Sequence, residues 1–266
     1  MKHINTDHTF VICAYGESPF LEECVRSLVN QSVPSAILIA TSTPSPYIEK
    51  IAEKYQIPVF VRDGKSGITQ DWNYAYAQAK TSYVTIAHQD DVYLEDYTAC
   101  VIREIRNAKK PLIAFTDYGE IRNGEVVLNN RLLKFKRLLL FPFRMPWTWK
   151  SRWIRRRSLS FGSAICCPSV TFVRERLPKV IFSNRFKAAC DWEAWEKISK
   201  LEGEFVFCNK VLMYHRIHEG SETTKQLDAH NRRQEEIQMF RKFWPGFIAL
   251  FLEHWYVRAE KSNQLS

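Results

Sequence analysis

The stretch SYVTIAHQDDVYLED (82–96) sets Asp90 and Asp91 side by side, straight after an apolar run that reads as a buried strand. Adjacent like charges repel, so the pair needs either a cation beside it or a role in starting the next helix. Two carboxylates at a strand's end suit a hard divalent cation, Mn2+ or Mg2+, which takes one or two protein oxygens and fills its other positions with phosphates and water. Equally, an acid just before residues 94–109 caps that helix, with Glu95 and Asp96 complementing its dipole.

Working outward, the chain alternates between two periodicities. TFVICAY (9–15), SAILIATS (35–42), IPVFVRD (57–63) and SYVTIAH (82–88) are short apolar runs rich in β-branched residues. Between them SPFLEECVRSLVNQ (18–31), PYIEKIAEKYQ (46–56) and ITQDWNYAYAQAK (68–80) read as helices, with Ser18 and Pro19 suited to the N-cap and first position of the first. LEDYTACVIREIRNAK (94–109) and PLIAFTDYG (111–119) continue the alternation. Repeated β-α units predict an α/β fold, a mainly parallel sheet flanked by helices on both faces. Ligands of such sheets bind beyond the carboxyl ends of the strands. The loops AYGES, TSTPSP, RDGKSG and HQDD all lie there, which puts the two aspartates at the rim of a ligand cleft.

Bulk properties narrow the class. The chain has 266 residues, 45% of them hydrophobic and 25% charged, enough for one large α/β domain or two small ones. A formal charge of +9 favours anionic partners. The start, MKHINTDHTFVICAY, has no signal-peptide pattern, and no apolar run reaches the roughly eighteen residues of a membrane span. Seven scattered cysteines without a CxxC pair read as reduced thiols of a cytoplasmic protein. The absence of GxxxxGK[ST], of GxGxxG after the first strand, of GxSxG and of HExxH disfavours a P-loop ATPase, a dinucleotide dehydrogenase, an α/β hydrolase and a zincin.

Two further constellations carry chemistry. AACDWEAWEKI (188–198) opens a helix with Asp191 and Glu193 beside Trp192 and Trp195. An acid against aromatic surface suits a sugar ring or a base with a tuned pKa, and also suits a plain N-capping aspartate on a helix that buries its tryptophans. YHRIHEGSETT (214–224) brings two histidines, an arginine and hydroxyls to a strand end, for phosphate or metal binding or for no ligand at all. EFVFCN and VLMYHR read as two strands, and the tail 226–266 as helical with a break at Pro245-Gly246.

In this order these segments resemble the family-2 glycosyltransferases, the inverting group with the GT-A (Rossmann-like) fold. VICAYGESPFLEECVRSLVNQ (11–31) is similar to that family's opening strand and helix, GKSGITQDWNYAYAQA (64–79) to the segment with an Asn near the donor, and HQDDVYLED to the Asp-x-Asp region. FGSAICC (161–167) is similar to the glycine loop before the base, CDWEAWEKI to the base helix and RIHEGSET to the C-terminal histidine segment. The resemblance implies a nucleotide-sugar-binding half (1–118), an acceptor-binding half (119–225) and a helical tail (226–266). It implies Asp191 as general base, and Asp90 and His218 as ligands of a divalent cation, Mn2+ or Mg2+. Donor-side residues would be Ala14, Tyr15, Glu17, Asp63, Asn73, His88, Asp91, Arg216 and Ser221; acceptor-side residues would be Gly162, Trp192 and Glu193. His88 stands where the family has an acid, and TSTPSP (41–46) where it has an acidic pair. The implied reaction moves a sugar from a UDP-linked donor to a glycan or lipid-linked acceptor of surface-polysaccharide synthesis.

Segment 131–157 is compositionally separate, with ten Lys/Arg, no acid and six Phe/Trp, a mixture suited to an anionic membrane surface. A nucleic acid, or a solvated basic helix with its aromatics on the core, fits the same composition. With the glycosyltransferase resemblance, the expectation is peripheral attachment at the inner face of the cell membrane and no nucleic-acid partner. A nucleotidyltransferase is the enzymatic rival, disfavoured because AYGESPF has one Gly and no Lys or Arg. A non-enzymatic basic binding module leaves Asp90, Asp191 and His218 without a role.

Overall fold

The computed structural model describes residues 7–218 and 229–264. The first half folds as the alternation predicts: β1 (His8–Ala14), α1 (Leu21–Val29), β2 (Ala36–Thr41), α2 (Pro46–Tyr55), β3 (Val59–Val61), α3 (Ile68–Gln78) and β4 (Tyr83–His88). β1 pairs in parallel with both β2 and β4, and β2 with β3. Every residue of β1 except Cys13 is buried, as a strand covered by helices on both faces requires. Because β1 lies between β2 and β4, the loops that follow β1 and β4 part from each other and open a crevice at the carboxyl edge.

The second half adds β5 (Val92–Tyr93), α4 (Tyr97–Asn107), β6 (Pro111–Arg122), β7 (Glu125–Val127), α5 (Arg131–Leu140), α6 (Arg152–Leu159), β8 (Val170–Val173), α7 (Cys190–Ile198), β9 (Glu204–Ile217), α8 (Ala229–Arg241) and α9 (Gly246–Gln264). The nine-stranded sheet runs β3-β2-β1-β4-β8-β6-β9-β5, with β7 beside β6. It is mixed: β8 is antiparallel to β4 and β6, β5 to β9, and β7 to β6, while β6 and β9 are parallel.

Three element boundaries differ from the sequence reading. Helix α1 starts at Leu21 because Ser18 to Leu21 forms a turn, Leu21 N–H donating to the Ser18 carbonyl at 3.2 Å. EFVFCN and VLMYHR are a single strand, β9, whose register against β6 shifts where Asn209 and Lys210 bulge out. Helix α4 starts at Tyr97, after Leu94 N–H has joined the Leu212 carbonyl at 2.9 Å.

A seam of hydrogen-bonded polar side chains crosses the core between β1, β4 and β8. His8 sits between Ser35 Oγ (2.8 Å from Nδ1) and Thr85 Oγ1 (2.9 Å from Nε2). Thr85 continues to Thr171 Oγ1 at 2.7 Å, and Tyr97 OH closes on Thr171 at 3.1 Å while donating to the Ser169 carbonyl. Burial drives the His8 pKa down to about 3, so this imidazole is neutral.

The basic segment 131–157 is not one amphipathic helix but α5, two 3-10 turns and α6. Leu133, Leu140, Phe143 and Trp149 face the core, and Arg155 is fully buried with its guanidinium 5.1 Å from the Phe205 ring centre. Arg137 pairs with Asp117 and Arg156 with Glu196, each at 2.7 Å, so part of the charge serves internal acids. Leu138, Phe141, Trp147 and Trp153 stay exposed, as do Phe247, Phe251 and Trp255 of α9, which packs on α5. No described helix is long and apolar enough to cross a membrane. All seven cysteines are free thiols.

Candidate active site

At the carboxyl edge of the sheet lies a cleft of about 350 Å³. Of the residues expected at a site, Ala14, Tyr15, His88, Asp90, Asp91, Asp191, Trp192 and Arg216 line it. Asp90 accepts a hydrogen bond from Ser18 Oγ at 2.6 Å, and its Oδ2 lies 3.2 Å from His218 Nε2. The Ser18 hydroxyl also accepts the Phe20 N–H at 3.3 Å, so it serves both Asp90 and the turn that opens α1. Asp91 is fully buried; its Oδ1 accepts from the Arg216 N–H and meets His215 Nδ1, both at 2.9 Å. Burial pushes the Asp91 pKa up, but His215, His88 and the Arg216 N–H together outweigh it, and the carboxyl ends below its ordinary value.

Neither aspartate caps α4. That duty falls to Gln31 at the end of α1, whose Oε1 accepts the Thr98 N–H at 2.9 Å while its Nε2 donates to the Leu94 carbonyl at 2.8 Å. Arg216 fixes the aspartate turn from beneath, with Nε on the Asp90 carbonyl at 2.9 Å, a 2.6 Å ion pair to Glu23 and a 4.2 Å stack on Phe20. Gln89 grips Tyr15, accepting from its N–H and donating to its carbonyl at 2.9 and 3.0 Å. His88 stacks on Trp72 at 4.8 Å, and burial lowers its pKa, so it is a neutral imidazole. His88 Nε2 and Asp91 Oδ2 are buried without hydrogen-bond partners among the described residues, which marks this wall as one that receives a polar ligand. Among the described residues no three or more His, Cys, Asp or Glu side chains form a metal cage. A two-ligand set, Asp90 and His218, still fits a cation that keeps phosphate and water in its remaining positions.

Asp191, which also lines the cleft, lies in the first turn of α7. It takes the Trp192 N–H at 2.6 Å and faces Ser163 Oγ at 3.4 Å. Ser163 follows Gly162, whose φ of +143° only glycine adopts comfortably. Burial raises the Asp191 pKa, and the Trp192 N–H, Lys136 and Ser163 pull it only part of the way back.

The loop before α7 is held from the C-terminal region. The Glu235 carboxylate on α8 accepts from the backbone N–H groups of Lys187 (2.9 and 3.1 Å), Ala188 (2.7 Å) and Ala189 (3.1 Å). Arg232 and Glu236, also on α8, line the cleft, as do Lys136 of α5 and Lys187. None of these was singled out in the sequence. The sequence shows 226–266 only as a helical tail, and the fold brings α8 to the loop before Asp191.

Other expected site residues turn away from the cleft, back its wall or lie outside it. Glu193 is a correction: two positions along a helix turn it away from Asp191, and its buried carboxylate pairs with Ser183, Lys197 (3.0 Å) and Lys242 (3.1 Å). The Trp192 indole is buried, donating to the Leu159 carbonyl at 2.9 Å, so it backs the wall and offers no open face. Asn73 clamps the 181–182 backbone, accepting from Ile181 and Phe182 N–H and donating to the Phe182 carbonyl, and does not line the cleft. Glu17 and Asp63 are exposed outside it. The acid that does reach the cleft from this loop region is Asp71 of α3, which binds Arg62 Nε at 2.7 Å, Ser42 Oγ at 3.1 Å and the Gly67 N–H at 3.0 Å. Ser221 lies outside the described residues.

A helix-flanked mixed sheet with a cleft at its carboxyl edge, lined by Asp90, Asp91 and Asp191, fits the GT-A type of α/β fold. The chain belongs to the glycosyl transferase family 2, whose family model matches residues 9–176, and it is a glycosyltransferase. No curated protein sequence matches it. Among solved structures, S. aureus TarS (residues 1–349) in complex with UDP-GlcNAc is similar with a TM-score of 0.65 at 13% identity, covering 96% of this chain and 72% of that one. The mannosyltransferase PcManGT from Pyrobaculum calidifontis, in complex with GDP-Man and Mn2+, gives 0.64 at 15% identity, covering 96% and 73%. Glucosyl-3-phosphoglycerate synthase from Mycobacterium tuberculosis, in complex with phosphoglyceric acid, gives 0.51 at 13% identity, covering 79% and 72%. At these identities the likeness concerns the fold alone.

Proposed function

We propose that the protein is a metal-dependent inverting glycosyltransferase that moves a sugar from a UDP-linked donor to a glycan or lipid-linked acceptor in cell-surface polysaccharide synthesis. The observation that supports this reading is one cleft lined both by Asp90, whose carboxylate meets His218 at 3.2 Å, and by Asp191 of a separate helix. Direct displacement at an anomeric carbon needs a base on the acceptor side and charge neutralisation on the leaving diphosphate. Asp191 takes the proton of the attacking hydroxyl; its raised pKa makes it a stronger base than an ordinary carboxylate. Asp90 and His218 would hold Mn2+ or Mg2+, which would offset the charge of the diphosphate. Asp91, locked by His215 and Arg216, faces the donor sugar. Ala14, Tyr15 and Asp71 line the nucleotide side.

The test is a thermal-shift screen of nucleoside diphosphates with and without Mn2+, followed by turnover measurements. UDP with Mn2+ stabilises the wild type, Asp90→Asn loses the metal-dependent part, and Asp191→Asn binds donor without turning it over. Absence of any nucleoside-diphosphate shift, or full activity of Asp191→Asn, refutes the assignment.

The same reading includes peripheral attachment to the inner membrane face. Its support is the exposed set Leu138, Phe141, Trp147 and Trp153 amid the Lys/Arg of 131–157, beside the exposed aromatics of α9. Flotation with anionic but not neutral vesicles is the expected result; equal behaviour with both sinks it.

A further inference from the structure

Of the two histidines near the end of β9, His218 meets Asp90, whereas His215 lines the cleft and meets Asp91. Asp91 is fully buried, and its Oδ1 lies 2.9 Å from the His215 Nδ1. An ionised carboxylate only accepts hydrogen bonds, so Nδ1 carries the hydrogen of this one. A buried carboxylate also needs a cation beside it, and the Arg216 guanidinium is engaged by Glu23 and the Asp90 carbonyl. That leaves the His215 imidazolium. Burial pulls its pKa down, but the Asp91 charge and hydrogen bond, with Glu120, outweigh burial and Lys136, and it ends above its ordinary value. Both nitrogens of an imidazolium carry a hydrogen, and among the described residues Nε2 has no hydrogen-bond partner. Glu120, the other acid that acts on this ring, is held by Arg122 at 2.8 Å and Asn130 at 2.7 Å. The His215 side chain is 32% exposed, so a ligand in the cleft reaches it.

We propose that His215, oriented by Asp91, donates its Nε2–H to the diphosphate of the donor and so stabilises the leaving group. The inference rests on the glycosyltransferase reading above and adds a group to its donor side. An imidazolium has no lone pair for a sugar hydroxyl's hydrogen, and its N–H bonds most strongly to an anionic oxygen. In the transfer the acceptor oxygen bonds to the anomeric carbon and its proton passes to Asp191. The carbon–oxygen bond to the diphosphate breaks, and its electron pair stays on the diphosphate oxygen. The Nε2–H meets that oxygen and keeps its own proton. A donor aimed at an atom that gains charge acts more strongly in the transition state than on the bound substrate. Asp91 is then the carboxylate that fixes the orientation of the ring.

The experiment adds UDP, and separately inorganic pyrophosphate, each with Mg2+, to the full chain carrying isotope-labelled histidine, followed by NMR. Both anions move the His215 Nε2–H signal of the wild type. Two variants then separate the ring nitrogens: His215→Asn keeps an amide near Nδ1 for Asp91 and lacks Nε2, whereas the amide of His215→Gln reaches the Nε2 position. By calorimetry His215→Asn binds UDP with Mg2+ about tenfold or more weakly, as a lost charge-assisted hydrogen bond requires, and His215→Gln recovers most of that loss. A histidine that only holds Asp91 in place gives the reverse order. Four results overturn the inference: neither anion moves the signal, Nε2 carries no hydrogen in the complex, His215→Asn binds within twofold of wild type, or His215→Gln loses as much as His215→Asn. The wild-type spectra decide the matter if neither variant folds. Pyrophosphate that moves the signal while UDP does not bind refutes the nucleotide reading and leaves His215 as a diphosphate contact.

Discussion

The loop that delivers Asp191 is only as well placed as its anchor, and that anchor is Glu235. Four contacts of 2.7 to 3.1 Å satisfy three successive backbone N–H groups just before α7. The helix has no side-chain cap of its own at Ala189, so this carboxylate, reaching over from α8, takes that part. Hydrogen bonds to a charged acceptor contribute about 1.5–3 kcal/mol each. The Lys187 N–H is exposed, so water replaces that contact cheaply and the two inner bonds dominate. Glu235→Ala therefore costs roughly 3–6 kcal/mol of local stability, and Glu235→Gln, which keeps one acceptor oxygen, costs less. A catalytic group displaced by about 1 Å loses on the order of 10²-fold in rate. The assay is turnover at saturating donor beside calorimetric binding of UDP with Mn2+. The expected pattern is kcat down about a hundredfold in Glu235→Ala, a partial loss in Glu235→Gln, and donor affinity within twofold of wild type. An unchanged kcat, or a donor affinity that falls in step with kcat, refutes the idea that Glu235 acts through the position of Asp191.

Three other perturbations have definite signs. His8 has a folded pKa of about 3 against an ordinary 6.5, so its stabilisation is complete above pH 6.5 and is lost as pH falls toward 3. At pH 5 the loss is about 2 kcal/mol, and urea unfolding at pH 7.5 and 5 shows it in wild type but not in His8→Gln; equal losses in both exclude His8 as the group. Removing the Ser163 hydroxyl takes a hydrogen bond from the Asp191 carboxylate, so the acid limb of the kcat/KM profile moves to higher pH in Ser163→Ala; a shift to lower pH contradicts the geometry. Arg216→Met frees the Asp90 carbonyl and Glu23 together, and UDP–Mn2+ affinity falls about tenfold or more; an affinity within twofold of wild type shows that the aspartate turn holds without it.

The sequence was most informative where neighbouring residues decide structure. From β1 to β4 each strand and helix carries its own periodicity, and the parallel pairing follows from the connections. HQDD was ambiguous because the rival for its helix-capping role, Gln31, is 67 residues from the Thr98 N–H that it takes. The break between EFVFCN and VLMYHR looked like a turn because Asn209 and Lys210 interrupt the apolar run, although one continuous strand absorbs them as a bulge. Glu193 was misplaced by reading proximity in sequence as proximity in space. The contribution of α8 was not legible at all: Arg232, Glu235 and Glu236 acquire meaning only once the helix packs against the loop before Asp191.

The hydroxyl seam from His8 to Tyr97 bears on how the strands find their alignment. Valines and isoleucines along β1, β4 and β8 make similar contacts in neighbouring registers, so apolar packing penalises slippage weakly. The seam does not forgive it. His8 reaches Thr85 because β1 and β4 pair with His8 opposite Tyr83, and Thr85 meets Thr171 directly across the β4–β8 pair. A shift of one residue turns each partner to the other face of the sheet. It would strand an imidazole and several hydroxyls in a dry interior, at about 1–3 kcal/mol for each bond left unmade. A few polar atoms thus act as a lock-and-key check on strand pairing, and the carboxyl edge inherits its accuracy from them: Ala14 and His88 end the strands that His8 and Thr85 hold in step.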